Sequence, residues 1–285
     1  MIKINKLTKY YDKTLGVKDL SLEVKKGEVF GFIGPNGAGK STTIRCIMNL
    51  INKNEGEVFI DNEINDPSNI LLKSKIGYLP SEINLYDDMT VKEMINYSKS
   101  FYNKDLNKRI KYLLSRFKLE GNKKIKELSY GNLKKLAIVI TFMHDPEILI
   151  LDEATNGLDP LMQNEFYELI KEEKKKGKTV FISTHNLSEI KKICDRVGII
   201  RKGKLIKVSD VSLLSKDLFS IVYIESDEIN KINFKYNIIE SNNKSIKFIY
   251  SGEVNELLKK LSKINIKRIT IEEPSVEDVF KHYYK

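Results

Sequence analysis

A glycine-rich segment between an apolar run and a helix-forming run constrains the fold of this chain more than any other feature. The segment follows the pattern G-x-x-x-x-G-K-[ST] and consists of Gly34, Pro35, Asn36, Gly37, Ala38, Gly39, Lys40, Ser41 and Thr42. Val29–Ile33 before it has the character of a buried strand, and residues 42–48 after it are predicted to be helical. This order predicts an α/β fold in which the helix N-terminus faces the turn.

The residue types in this phosphate loop (residues 34–42) suit the binding of nucleotide phosphates. Glycine has no Cβ, so backbone N–H groups can close around phosphate oxygens. Lys40 places a point charge near the β- and γ-phosphates, and the Ser41 hydroxyl is suited to ligate the Mg2+ that neutralises them. The loop therefore predicts a site for a nucleoside triphosphate and Mg2+.

A second anchor lies far along the chain, where the apolar run Ile148–Leu151 ends in Asp152 and Glu153. Such a run predicts a strand that is buried on both faces. Carboxylates at the C-terminal end of this kind of strand lie where an open α/β sheet places its ligands. We expect Asp152 to hold Mg2+ through a water molecule and Glu153 to polarise the attacking water as general base.

Three further segments make the chain similar to the ATPase subunits of ABC transporters, in particular the bacitracin-type and multidrug or peptide exporter ATPases. They resemble the signature loop, the D-loop and the switch histidine of that family, and they are Leu128–Asn132, Asn156–Pro160 and Ser183–His185. The resemblance implies that Ser129 and Gly131 contact the γ-phosphate, that Asp159 belongs to the nucleotide site and that His185 senses the γ-phosphate. Tyr11 lies where the family stacks an aromatic ring on adenine, so the implied cofactors are ATP and Mg2+.

The same resemblance implies the architecture of the chain. Residues 1–208 are expected to form a P-loop NTPase domain of ABC type, with a mixed, mostly parallel sheet and an antiparallel β subdomain. A helical insert is expected at about residues 81–145. Residues 215–285 are predicted to form a small α+β domain that aids dimerisation or packing, with its last helix opening at Pro274.

The resemblance also implies partners. In the family, two ATPase domains associate head to tail, and each ATP lies between Lys40 of one chain and Ser129 of the other. We expect a homodimer that drives an integral membrane permease and so powers export of a drug, peptide or similar amphipathic substrate. The helical insert is the part that contacts the membrane subunit in this family.

Two departures from the family pattern affect the site. Ser81 follows Pro80 where the family usually has a glutamine that contacts Mg2+ and the attacking water. Serine is shorter, so either Glu82 compensates or hydrolysis is slow. The signature loop carries Tyr130 and Asn132 in place of the usual glycine and glutamine, while Ser129 and Gly131 are retained.

Composition adds limits to these expectations. No stretch approaches the roughly 18 apolar residues of a transmembrane helix, and no signal-peptide pattern opens the chain, so we expect a cytoplasmic protein peripheral to the inner face of the membrane.

The net charge of +10 comes mostly from lysine. It is interpreted as solvated helix faces or as attraction to anionic lipid. The basic residues are scattered, so no nucleic acid is expected as a partner. Cys46 and Cys194 are expected to be reduced thiols, and no cluster suggests a structural metal.

Two alternatives remain from the sequence. One is a soluble ABC ATPase that acts on the ribosome or DNA; such proteins usually carry two ATPase domains, long coiled-coil arms or zinc modules, and this chain has one set of motifs. The other is an ATP-gated subunit with weak hydrolysis, which Ser81 favours.

Local patterns predict two capping boxes. Thr90 and Glu93 are expected to open a helix whose buried face includes Val91, Met94, Ile95, Ser98 and Phe101. Asn186 and Glu189 are expected to open the helix that follows His185.

Overall fold

The structure is a computed structural model that describes residues 1–213, 219–229 and 236–274. The chain divides into two compact units, Met1–Val211 and Ser212–Lys285. The helix predicted to open at Pro274 falls on residues 275–285, which lie outside the described residues.

The first unit begins with an antiparallel sheet. Its strands, in the spatial order β2-β1-β4-β5, are β1 (Ile2–Tyr11), β2 (Thr14–Val24), β4 (Glu55–Ile60) and β5 (Glu63–Ile64). Buried residues such as Ile2, Ile4 and Leu7 point into one core, so β1 shows the alternation of a half-covered strand. Tyr11 is the last residue of β1 and therefore lies at one end of this sheet.

A mixed sheet forms the centre of the unit. Its order is β10-β9-β3-β8-β7-β6, and its strands are β3 (Val29–Ile33), β6 (Ile76–Leu79), β7 (Ile148–Asp152), β8 (Thr179–Thr184), β9 (Arg196–Arg201) and β10 (Lys204–Asp210). Every pairing is parallel except that of β9 with β10. All residues of β3, β7 and β8 are buried, which explains why their sequences are largely continuous apolar runs.

Helices cover the mixed sheet and form the insert. Those of the core are α1 (Lys40–Ile47), α2 (Ile70–Ser74), α6 (Pro160–Lys175) and α7 (Leu187–Ile193). Those of the insert are α3 (Val91–Lys99), α4 (Asn107–Phe117) and α5 (Tyr130–Met143), with a short 3-10 turn at Ile125–Glu127. Arg109 on α4 pairs with buried Glu173 on α6 at 2.6 Å, and Arg116 pairs with Glu172 at 2.7 Å. These ion pairs join the insert to the core.

The first capping box is confirmed, but one residue of its helix was assigned wrongly. Thr90 N donates to Glu93 Oε2 at 2.8 Å, and Glu93 N donates to Thr90 Oγ1 at 3.2 Å. The predicted core positions on α3 are buried, whereas Phe101 is 69% exposed. The helix ends at Lys99, so Phe101 no longer follows the helical repeat that would have buried it.

The second predicted helix start is confirmed, because Asn186 is the N-cap of α7, but the reciprocal bond from Glu189 that would complete a capping box is absent. Asn186 accepts a hydrogen bond from Ser188 N, but its own N–H donates to Thr184 Oγ1 instead of to Glu189. Glu189 lies on the buried face of α7, and neither of its carboxylate oxygens has a hydrogen-bond partner among the described residues. Burial raises the pKa of Glu189 to about 7, although the nearby hydroxyls of Thr184 and Thr155 act in the opposite direction. Asn186 thus caps α7 as predicted, whereas tertiary packing buries Glu189 and removes its half of the box.

The second unit is an antiparallel sheet covered by a helix. The sheet has the order β12-β13-β11-β14 and consists of β11 (Ser220–Glu225), β12 (Asn237–Ser241), β13 (Ser245–Tyr250) and β14 (Arg268–Glu272). Leu257 and Leu261 of α8 (Val254–Leu261) join Val222, Ile224 and Phe248 in a separate core. Among the described residues of the two units, no helix has both the length and the apolar composition of a membrane-spanning segment.

Candidate functional site

The phosphate loop joins β3 to α1 at the edge where the parallel strands end. Gly39 precedes α1 with a φ of 108°, a left-handed conformation that favours glycine. A Cβ on Gly39 would also lie 2.7 Å from the Gly16 carbonyl oxygen. At Gly34, a Cβ would lie 2.4 Å from the Ile200 carbonyl oxygen. Both glycines are therefore required by conformation or by close backbone contact.

Lys40 is 5% exposed, and its ammonium is bound within the chain. Nζ donates to the carbonyl oxygens of Gly34 at 2.8 Å and Pro35 at 3.3 Å, and it lies 3.2 Å from Glu153 Oε1. In this arrangement the Glu153 carboxylate is the anion that neutralises Lys40. A phosphate that enters the loop has to compete with this carboxylate for the ammonium.

Asp152 ends β7 and is 1% exposed. Its Oδ1 accepts a hydrogen bond from the Ser183 hydroxyl on the adjacent strand β8, with which it is in register. Oδ2 is buried and has no hydrogen-bond partner in the part of the chain that the structure describes. A buried carboxylate oxygen without a partner is costly, and a hard cation or its water ligand would satisfy it. The residues present therefore fit Mg2+, with Ser41 as the second oxygen donor.

Glu153 has a strained backbone conformation, and several contacts fix its side chain. Its φ is 49°, in the left-handed region that is uncommon for residues with a Cβ, and strain of this kind is concentrated at functional sites. Its N–H is held by the Ser183 carbonyl oxygen at 3.1 Å. Oε2 lies 2.9 Å from His185 Nδ1 and accepts from Asn156 Nδ2 at 3.4 Å. The carboxylate is thus bound on one side by Lys40 and on the other by His185.

His185 follows β8, so it reaches the same sheet edge from the neighbouring strand. Its side chain is 50% exposed, and its Nδ1 lies 2.9 Å from Glu153 Oε2. The two groups form a carboxylate–imidazole pair next to a cavity that is open to solvent. Such a pair can orient a water molecule and hold or move a proton.

The cavity has a volume of about 320 Å³ and brings together most of the predicted site residues. It is lined by Tyr11, Leu15, Gly16, Asn36, Gly37, Gly39, Lys40, Ser41, Thr42, Glu153, Asn156 and His185. Tyr11 is 41% exposed, and Lys9 Nζ lies over its ring at 5.3 Å from the centroid. The cavity therefore extends from the Tyr11 ring to Glu153 and His185, and a nucleotide with its base at one end and its phosphates at the other would fit this extent.

Seven predicted residues do not line this cavity. Gly34, Pro35 and Ala38 are part of the phosphate loop, Asp152 is buried at the end of β7, and the other three lie on other segments. Ser129 is exposed at the start of α5, where its Oγ accepts from Asn132 N at 3.4 Å. Gly131 is partly exposed near Gly157, whose carbonyl oxygen would lie 2.8 Å from an added Cβ. Asp159 is exposed and caps α6 by accepting from Met162 N at 3.0 Å. Within one chain Ser129, Gly131 and Asp159 are separate from the cavity.

Sequence reasoning missed four residues of the site. Asn156 and Ser183 lie inside the D-loop and switch segments already singled out, so their signal was present. Leu15 and Gly16 gave no signal in the sequence. A Cβ at Gly16 would lie 2.9 Å from Thr42 Cγ2 and 3.1 Å from the Lys9 carbonyl oxygen, so this contact between β2 and the phosphate loop requires a small residue.

Comparison with known proteins agrees with this geometry. The ABC transporter family matches residues 17–156. The bacitracin transport ATP-binding protein BcrA of Bacillus licheniformis is 34% identical over 98% of this chain and 96% of BcrA. The linearmycin resistance ATP-binding protein LnrL of Bacillus subtilis is 36% identical over 73% of this chain and 68% of LnrL. A solved dimeric ATP-binding cassette in a post-hydrolysis state with ADP and Pi is 28% identical, with a TM-score of 0.68 over 74% of this chain and 99% of that cassette.

Proposed function

Because this chain belongs to the ABC transporter ATP-binding proteins, we propose that it powers export of a drug, peptide or similar amphipathic substrate through a separate membrane permease. The chain is an ATPase whose cofactors are ATP and Mg2+. The observation that carries the proposal is the position of Glu153, held between Lys40 at 3.2 Å and His185 at 2.9 Å. The export role is supported by relatives named for bacitracin transport and linearmycin resistance.

In the proposed mechanism, ATP lies along the cavity with adenine on Tyr11 and phosphates in the loop 34–42. Lys40 turns from Glu153 to the β- and γ-phosphates, because a phosphate carries more negative charge than the carboxylate it displaces. Mg2+, when bound, neutralises part of the phosphate charge; Ser41 and Asp152 are the residues that would hold it.

Glu153, released from Lys40, then accepts a proton from the attacking water as general base. His185 holds the same carboxylate through Nδ1 and reports on the γ-phosphate end of the site. The contacts of Glu153 Oε2 with His185 and Asn156, and of its N–H with the Ser183 carbonyl oxygen, keep the carboxylate at this place when its lysine partner leaves.

A second copy of the chain would complete the site. Ser129 and Gly131 are outside the cavity of their own chain, yet a hydroxyl and an N–H at a helix start suit a γ-phosphate. In a head-to-tail homodimer the signature loop of one copy would face the phosphate loop of the other. A solved cassette at 28% identity that is dimeric supports the association of two copies. ATP then joins the copies, and hydrolysis releases them.

We place the working complex at the cytoplasmic face of the cell membrane, where the lysine-rich surface favours anionic lipid headgroups. The test uses the membrane subunit that co-purifies with the chain, reconstituted with it in liposomes. We expect ATP-dependent accumulation of an amphipathic peptide or cationic drug, and loss of accumulation with Glu153→Gln. Equal accumulation by wild type and Glu153→Gln would contradict the proposal.

The alternative of an ATP-gated subunit with weak hydrolysis is favoured by one observation. Ser81 and Glu82 follow β6, but neither lines the cavity. Steady-state ATPase measurement separates the two: an exporter ATPase turns over continuously, whereas a gated subunit binds ATP and releases it slowly.

A further inference from the structure

Lys134 is a charged residue at a place where charge is costly. It lies on α5, five residues after Ser129, and its side chain is 0% exposed. Nζ donates to the Pro80 carbonyl oxygen at 3.4 Å, which is a long hydrogen bond. Within the described ranges, no salt bridge of Lys134 to a carboxylate is present. An ammonium has three donors, so two of them lack an acceptor among the residues that the structure describes.

The negative charges that act on the Lys134 ammonium are those of the candidate catalytic carboxylates. Burial lowers the pKa of Lys134 to about 8, and the opposing attraction comes from Asp152 and Glu153. The ammonium is therefore still largely charged at neutral pH. A buried cation normally requires a paired anion, since its desolvation costs several kcal/mol. Here the compensating charge lies at the end of β7, in the site itself.

The contact of Lys134 with Pro80 connects two parts of that site. Pro80 directly follows β6, and β6 pairs in parallel with β7, with Leu79 opposite Leu151. The Pro80 loop (residues 80–82) therefore starts beside the strand that presents Asp152 and Glu153. Lys134 touches the first residue of this loop from the helix that opens at the signature loop.

We propose that Lys134 is a positioning residue for ATP hydrolysis that anchors the Pro80 loop and supplies positive charge beside the Asp152 and Glu153 carboxylates. The need arises when ATP draws Lys40 to the phosphates, because Glu153 then loses the cation that held it at 3.2 Å. Lys134 stays, since its backbone belongs to α5 and its stem is enclosed. This inference rests on the proposed role of Glu153.

The test is the Lys134→Met substitution, which keeps the length of the stem and removes the charge. Replacing a buried ion with an apolar group of similar volume is often neutral or stabilising, so we expect an unchanged or raised melting temperature. We expect kcat to fall about 10- to 100-fold while the Kd for ATP changes less than about 3-fold, because loss of an interaction specific to turnover lowers kcat and leaves binding. Lys135→Met, at the partly exposed neighbour, is the matched control and is expected to keep wild-type kcat.

A second variant tests the link to the Pro80 loop. Ser81→Gln introduces an amide donor, and we expect it to raise kcat more in the Lys134→Met background than in wild type, because contacting or networked residues are non-additive. The proposal is overturned if Lys134→Met keeps kcat within about 2-fold, if its melting temperature falls in step with kcat, or if Ser81→Gln acts equally in both backgrounds. Failure of the Glu153 assignment is distinguishable, since Glu153→Gln would then keep wild-type turnover whatever Lys134→Met does.

Discussion

The phosphate loop and the signature loop of this chain differ in how far one copy satisfies them. Lys40 is enclosed and bound by two carbonyl oxygens and a carboxylate of its own chain. Ser129 is exposed, and its hydroxyl accepts only a long bond from Asn132 N in the described part of the chain. The first region is ready to exchange one internal anion for a phosphate. The second is exposed and lies apart from the cavity of its own chain.

Of these two loops, the signature loop carries substitutions that depart from the family pattern, and the phosphate loop carries none. The phosphate loop keeps its full pattern, because Gly34 and Gly39 are in close contact with backbone and tolerate no side chain. The signature loop accommodates Tyr130, whose ring is 53% exposed and lies against Gly157. A Cβ at Gly157 would lie 2.3 Å from that ring, so the signature loop and the D-loop touch within one chain. A substitution at Gly157 in the D-loop would therefore displace Tyr130 in the signature loop.

The largest effect expected in the phosphate-loop half is that of Glu153→Gln. The amide cannot accept the proton of the attacking water, so turnover should fall about 10²- to 10⁴-fold while ATP still binds. Steady-state phosphate release measures the change. Glu147→Gln, an exposed carboxylate immediately before β7, is the matched control and should keep wild-type turnover. Retention of more than about a tenth of the rate by Glu153→Gln would remove the general-base role.

The far end of α5 is expected to make stability sensitive to acid. The buried ring of His144 stacks on Tyr102 with centroids 4.4 Å apart, and burial lowers the pKa of His144 to about 4. Above pH of about 6.5 the imidazole is neutral in both states; as pH falls below that value, the unfolded chain takes up a proton that the fold excludes. The stability contribution is therefore lost between about pH 6.5 and 4, by about 3 kcal/mol.

His144→Phe keeps a ring on Tyr102 and has no proton to take up. Urea unfolding of both proteins at several pH values checks the prediction, with the Phe variant losing less stability on acidification. Parallel pH profiles for the two proteins would show that His144 does not titrate as proposed.

Lys40→Ala is expected to weaken ATP binding by about 10- to 100-fold, because a hydrogen bond to a charged group contributes about 1.5–3 kcal/mol. The same substitution removes the partner of Glu153, so binding and turnover should both fall, whereas Glu153→Gln separates them. Titration calorimetry with ATP gives the affinity. An unchanged affinity would mean that the Lys40 ammonium stays on its carbonyl and carboxylate partners when ATP binds.

The smallest effect is expected at the opposite end of the cavity. Tyr11→Ala removes one stacking face and should weaken ATP binding several-fold, by about 1 kcal/mol, while Tyr11→Phe should keep wild-type affinity. Fluorescent-nucleotide competition measures both. If the Ala variant bound ATP like wild type, adenine would lie elsewhere, and Leu15 and Gly16 would be the residues to examine next.

The phosphate-loop half was predictable from sequence for a physical reason. Apolar runs identify β3, β7 and β8, and parallel strands gather their C-terminal ends, so Lys40, Glu153 and His185 were expected to meet. What sequence did not reveal depends on tertiary packing. Glu189 is enclosed by α7 packing instead of capping, and Lys134 is buried although a lysine after a polar signature segment reads as a surface residue.

The assembly of two copies is the central claim that most needs measurement, and sedimentation of Glu153→Gln with Mg2+-ATP tests it directly. We predict a shift from monomer to dimer on addition of ATP, because slow hydrolysis preserves the nucleotide between Lys40 of one copy and Ser129 of the other. Adding Ser129→Arg to the same chain should abolish the shift while ATP binding to each monomer remains. An ATP-bound Glu153→Gln protein that stays monomeric, or one that dimerises equally well with Ser129→Arg, would contradict the account.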